Sequence, residues 1–115
     1  MTVRRADRVG EAVREVIADL LLRDIKDPRI GMITLTTVEL TNDLKHAKVY
    51  FSCVGDDAVR RRSLDGLRSA AGFIRSQVTR QLKLRYAPDM LFYFDPTLEV
   101  ADRLASLLKD ATGKE

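Results

Sequence analysis

The chain has no tryptophan, one cysteine, one histidine and three prolines in 115 residues. Cys53 has no second thiol within the chain, so no internal disulfide staples this fold, and such sparse cysteine fits a reducing compartment. His46 is the only histidine and follows Lys45. It has no partners for metal ligation or a catalytic triad, and it reads as a surface polar residue. Aromatic residues make up 6% of the chain and do not interleave with arginine along the sequence. A stacking platform for bases is therefore not expected, and recognition of shape and backbone is. No apolar run approaches the ~20 residues that a membrane span requires. The opening Met1–Asp7 turns to charge at once, without the apolar segment of a signal peptide. A cytoplasmic protein with no membrane association is the expectation.

Glycine-rich phosphate loops are also missing, so no nucleotide cofactor is expected. Asp27, Asp43, Asp56 and Asp57 supply carboxylates, but none forms a spaced pair beside a basic segment. No catalytic residue and no metal site is expected. A small metal-dependent nuclease or phosphatase using those aspartates is the enzymatic alternative, and an RNA-degradation assay with and without Mg²⁺ separates the two.

What the sequence does have is a concentrated positive block. The whole chain carries a net charge of +3, yet Arg60–Arg85 holds eight bases against the single acid Asp65, a net +7. Charge gathered in one segment makes a focused positive field suited to a polyanion, of which nucleic acid is the commonest. The block also has helical periodicity. Leu64, Leu67, Ala71, Ile74, Val78 and Leu82 recur at steps of three and four and form one apolar stripe. Wound as a single helix, it gathers Arg61, Arg68, Arg75 and Lys83 on another side, among the small residues Ser69, Gly72 and Ser76. Small side chains admit a phosphate backbone, and arginine supplies forked donors to hold it. Arg61, Arg68, Arg75, Arg80 and Lys83 are the leading RNA contacts, followed by Arg62 and Arg85. Arg4, Arg5 and Arg8 form a second cluster, diluted by Asp7 and Glu11. Ala70-Ala71-Gly72 reads as a break between two helices, because glycine costs a helix interior about 1 kcal/mol. Tyr50 is a candidate for base stacking, and Phe73 is assigned to core packing.

The remaining elements follow from pattern. A helix is expected from about Arg4 to Asp24, on a stripe of Val9, Ala12, Val13, Val16, Ile17, Leu20 and Leu21, ended by Asp27-Pro28-Arg29-Ile30-Gly31. Ile33–Thr41 reads as a strand whose apolar phase switches near Thr36-Thr37, which predicts a β-bulge. Asn42-Asp43-Leu44-Lys45 turns the chain into a second strand, His46–Val54, with Cys53 buried on its apolar face. Met90–Phe94 is a third strand, parallel to one of the first two because a helical crossover precedes it. Asp95-Pro96 opens a last helix with Leu98, Ala101, Leu104, Leu107 and Leu108 inward. The order is α-β-β-α-α-β-α, an α+β fold with a three-stranded sheet packed with helices. Residues 1–109 form one domain and 110–115 a short polar tail.

Several of these segments, in order, resemble one family. They are Arg8-Val9, Asp27-Pro28-Arg29-Ile30-Gly31, Ala47-Lys48-Val49-Tyr50, Ser69–Ser76, Leu84-Arg85, Pro88, Leu91-Phe92 and Asp95. Together they look like bacterial ribosome-binding factor A, over about Arg4 to Leu108. The resemblance implies a KH-like fold of type II, with Ala70-Ala71-Gly72 as an interhelical kink where other KH modules carry Gly-x-x-Gly. It implies a non-enzymatic RNA-binding assembly factor, a monomer that binds 16S rRNA in free small (30S) subunits and not in joined ribosomes. It further implies assistance in late maturation and 5′-end processing of 16S rRNA, and a role in growth in the cold. A generic KH-like protein acting on other RNA is the alternative.

Overall fold

The computed structural model of the chain describes residues 4–96. The expected last helix, with Leu98, Ala101, Leu104, Leu107 and Leu108, lies outside the described residues, as does the tail at 110–115. Helix α1 spans Arg5–Arg23 and buries Ala6, Gly10, Val13, Ile17 and Leu20, a spacing of alternating fours and threes that makes one face. Val9, Val16 and Leu21 flank that face against the core. The helix ends at Asp24, whose N–H still donates to the Leu20 carbonyl at 2.8 Å. Below it, Arg29 grips the Asp27 carboxylate with Nε and Nη2, at 3.0 and 2.6 Å, and fixes the turn around Pro28.

Strands β1 (Ile33–Leu40) and β2 (His46–Cys53) pair antiparallel. The register steps between Leu35 and Thr37, where the change of apolar phase placed a bulge. Leu35 faces the core before the step and Val38 after it. Thr36, the extra residue, donates through its hydroxyl to the Asp95 carboxylate at 2.8 Å. The hairpin turn is held by Asp43, which accepts from the Thr41 hydroxyl at 2.6 Å and the Lys45 amide at 3.0 Å. Those two bonds favour the charged carboxylate and hold its pKa below the ordinary value.

Helices α2 (Asp57–Ser69) and α3 (Ala71–Leu82) cross over to β3 (Asp89–Phe94), which pairs parallel to β2 and gives the sheet order β1-β2-β3. One sheet face supplies Leu35, Val38, Ala47, Val49, Phe51, Met90 and Phe92 to the core, and the helices meet it with Val13, Ile17, Leu20, Leu67, Ile74 and Val78. Cys53, expected to be buried on the apolar face of its strand, is only partly buried and packs against this core. On the opposite face Tyr50 stacks on Tyr93, with ring centroids 5.6 Å apart.

Two small residues on α2 set how that helix docks. Ser63 and Gly66 are buried, and the Ser63 hydroxyl accepts from the Gly31 amide at 3.3 Å. A Cβ on Gly66 would lie 2.6 Å from Ile30 Cγ1. The Pro28–Gly31 segment is thus clamped against α2, which fixes the base of the positively charged helix pair.

Candidate nucleic-acid interface

The site is built from the positive block and the way its helix is interrupted. Asp56 caps α2, its carboxylate accepting from the Val59 amide at 3.0 Å. With Ser63, Gly66 and Leu67 turned inward, Arg61 and Arg68 come together on the outward face and are exposed. At Ala70 the backbone flattens to ψ −3°, and its N–H is shared by the Gly66 and Leu67 carbonyls, both at 3.1 Å. The chain restarts as α3 with no side chain capping its first turn and no acid in it. The leading amides of a helix have no partner within it, and they carry the positive end of its dipole. Gly72 sits there, and a Cβ built on it would meet no described residue within 4 Å. The glycine is therefore not required by packing among the described residues.

The break also redistributes side chains, because α3 is not a continuation of the winding of α2. Ile74 and Val78 face the core, which leaves Gly72, Phe73, Ser76 and Arg80 outward. Phe73, assigned to core packing from the sequence, is 44% exposed. Arg75 also departs from its expected place. Its Nε donates to the Pro88 carbonyl at 3.0 Å, and its Nη2 reaches the Ala87 carbonyl at 3.1 Å and Asp89 Oδ1 at 3.2 Å. A guanidinium so engaged holds the loop before β3 instead of pointing to a partner. Arg60 is likewise internal, 4.4 Å from the Phe94 ring and 2.8 Å from Asp57 Oδ1.

The other six bases of the block remain outward. Arg61, Arg62, Arg68, Arg80, Lys83 and Arg85 are exposed, and none forms an ion pair with another described residue. Lys83 ends α3 in the left-handed region, at φ 54°. It shares a small cavity of about 350 Å³ with Arg5 and Arg8, so the structure joins part of the second cluster to the first. Arg4 instead turns to Asp7, at 3.5 Å.

A groove runs beside the helix break. A cleft of about 780 Å³ is lined by Ala71, Gly72 and Arg75 on one side, by His46 and Lys48 on another, and by Met90 and Leu91 of the edge strand. A smaller hollow of about 340 Å³ continues along β3 past Leu91 to Tyr93, with Arg68 at its wall. The groove thus has an apolar floor, walls of mixed charge on which Glu39 and Asp89 accompany Lys48 and Arg75, and an open helix N-terminus at Ala71-Gly72. Its phosphate-accepting parts are that helix end and Arg68 beside it.

One aromatic feature escaped the sequence. Tyr86 is 49% exposed and has two cations over its ring, Lys45 Nζ 5.0 Å and Arg85 Cζ 5.4 Å from the centroid. Aromatic and basic side chains do interleave here, though residues 45 and 86 are far apart in the chain. No group of three His, Cys, Asp or Glu among the described residues is placed to hold a metal ion. No helix among them is long and apolar enough to cross a membrane.

Among the described residues, these features define an α+β domain with a three-stranded sheet, helices on one face, and an exposed set of cations on the two helices that flank a break. Comparison with known proteins narrows this class. Residues 5–108 match the family described as Ribosome-binding factor A, and the chain belongs to that family. The ribosome-binding factor A of Geobacter metallireducens is 40% identical over 97% of this chain and 95% of its own length. The solution structure of a Thermotoga maritima protein provisionally assigned to the same family superposes with a TM-score of 0.73 at 28% identity, over 81% of this chain and 89% of that one. The Thermus thermophilus ribosome binding factor A, as a homology model fitted into a map of a 30S complex, shares the fold, with a TM-score of 0.60 at 21% identity over 83% of this chain and 97% of that one.

Proposed function

We propose that this chain binds free small ribosomal subunits through 16S rRNA and assists late maturation and 5′-end processing of that RNA. The observation that carries the reading is the set of six exposed cations on α2, α3 and the loop after them, without ion-pair partners among the described residues, with Arg68 at the wall of the hollow that continues the groove beside Gly72. Family membership supports a ribosomal target for that surface. The 30S complex of the Thermus thermophilus protein supports the small subunit as the particle to test.

In this reading the protein acts by binding alone, as a cytoplasmic monomer with no cofactor. Arg61, Arg62, Arg68, Arg80, Lys83 and Arg85 contact phosphates and set register on the RNA. The first-turn amides of α3 take one further phosphate, which the missing side chain of Gly72 lets approach closely. Arg75 takes no phosphate and instead positions the loop that carries Arg85. Docked in this way, the protein holds an immature rRNA conformation or delays joining to the large subunit.

Sedimentation with ribosomal particles at near-physiological salt tests the proposal. Co-migration with free small subunits and not with joined ribosomes is expected. Equal binding to both particles, or binding to unstructured RNA that free small subunits do not compete away, would replace it with a general RNA-binding role.

A further inference from the structure

Tyr86 has a placement that backbone-phosphate recognition does not use. It projects from the short loop between α3 and β3, and that loop is anchored at both ends. On one side the Leu84 amide bonds to the Thr79 carbonyl at 3.0 Å, just after the left-handed Lys83. On the other, Pro88 is fully buried, and Arg75 holds the Ala87 and Pro88 carbonyls. Lys45 is fixed from its own side. Its amide bonds to Asp43, and its carbonyl accepts from the Asp89 amide at 2.8 Å, which ties the β1–β2 turn to the start of β3. A half-exposed ring with two cations over it is thus carried on a loop that backbone bonds anchor at both ends.

The chemistry selects the ligand. Two positive charges over the ring repel cationic ligands, which would otherwise be drawn to an aromatic face, and both sit on flexible side chains that an arriving anion can draw aside. A planar group carrying negative charge satisfies both parts: its ring stacks on tyrosine and its anion meets lysine and arginine. An RNA nucleotide has this composition, and only an unpaired one has a free base face. Resting on the RNA-binding reading above, we infer that Tyr86, Lys45 and Arg85 form a stacking site for one unpaired nucleotide. The base lies on the Tyr86 ring, while Lys45 and Arg85 turn to the flanking phosphates. The site gives the protein a means to prefer rRNA with an unstacked base over a continuous duplex.

The test uses the full chain, a single-stranded RNA octamer, an RNA duplex of equal length and AMP as probes, with fluorescence anisotropy and competition as readouts. Tyr86→Leu keeps an apolar side chain but removes the π face. It should weaken octamer binding by about tenfold, the effect of losing one stacked base, with duplex binding nearly unchanged. Tyr86→Phe should bind the octamer as the parent does. Tyr86→Leu should leave the salt dependence unaltered, whereas Lys45→Ala should lower its slope by roughly one. Unchanged octamer affinity in Tyr86→Leu, with binding abolished in Arg61→Ala/Arg68→Ala/Arg80→Ala, would overturn the stacking site and leave the basic interface standing. Unchanged binding in both would overturn the two together. AMP binding as tightly as the octamer would reassign the site to a free nucleotide and overturn the RNA inference.

Discussion

Replacing Gly72 by alanine separates what the fold needs from what a partner needs. Glycine is about 1 kcal/mol less favourable than alanine within a helix. Gly72 is the second residue of α3, where part of that difference applies, and a Cβ there meets no described residue within 4 Å. No steric cost offsets the gain. The structure therefore predicts that Gly72→Ala is stabilised by roughly 0.5–1 kcal/mol, a rise of a few degrees in Tm for a domain of this size. Gly66→Ala is the control. Its Cβ would sit 2.6 Å from Ile30 Cγ1 and 3.3 Å from Ile30 Cδ1, against a segment already clamped by Ser63. Overpacking of this kind costs about 1–3 kcal/mol. The two melts should move in opposite directions. RNA affinity should move the other way for Gly72→Ala, falling by about tenfold, because one charge-assisted hydrogen bond from the α3 amides is obstructed. Thermal denaturation and anisotropy with a 16S rRNA fragment give both numbers. A Gly72→Ala protein that is less stable than the parent would refute the packing argument. One that binds RNA with unchanged affinity would refute the close approach of phosphate at α3.

Two further perturbations test the assignment of individual side chains. Arg75→Ala should cost roughly 1–3 kcal/mol of stability, since it removes hydrogen bonds from a charged donor to two carbonyls, while the salt dependence of RNA binding stays as in the parent. A lower salt slope with unaltered stability would return Arg75 to the RNA contacts. Asp43 should titrate below the ordinary aspartate value of about 3.9, because the Thr41 hydroxyl, and after it the Lys45 amide, stabilise its charged form. A depressed folded-state pKa means that the stability this turn contributes is fully present above the unfolded-state value. It is lost as pH falls through the folded-state value. Carboxyl NMR should show that midpoint, with the Lys45 amide moving in step. A midpoint at or above the ordinary value would contradict the bonding described.

Most of the architecture was legible because it rests on local periodicity. The stripe of α1, the phase change at Thr36-Thr37 and the interruption near Gly72 are each visible within a dozen residues, and each corresponds to a feature of the fold. The site was less legible, for two physical reasons. Winding Arg60–Arg85 as one helix assumes a constant 100° per residue, but the flattened backbone at Ala70 resets the phase. Arg75 then falls at the groove's edge, within reach of carbonyls twelve and thirteen residues ahead, and Phe73 falls outward. The second reason is distance along the chain. Ser63 with Gly31, and Lys45 with Tyr86, meet only because the hairpin turn and the loop before β3 lie side by side or the helix pair folds back. A signal for the first pair was present as small residues at Ser63 and Gly66, three apart on α2. For Tyr86 the only signal was its neighbour Arg85.

The central claim is that the outward cations of α2 and α3 hold RNA phosphates. Its most direct test is the salt dependence of binding to a 16S rRNA fragment for the parent chain and for Arg61→Ala/Arg68→Ala/Arg80→Ala. The account predicts that the triple variant folds normally and that its log–log salt slope is shallower by about 2–3, roughly 0.7–0.9 for each phosphate that the protein no longer neutralises. A folded triple variant with the parent's slope would contradict it.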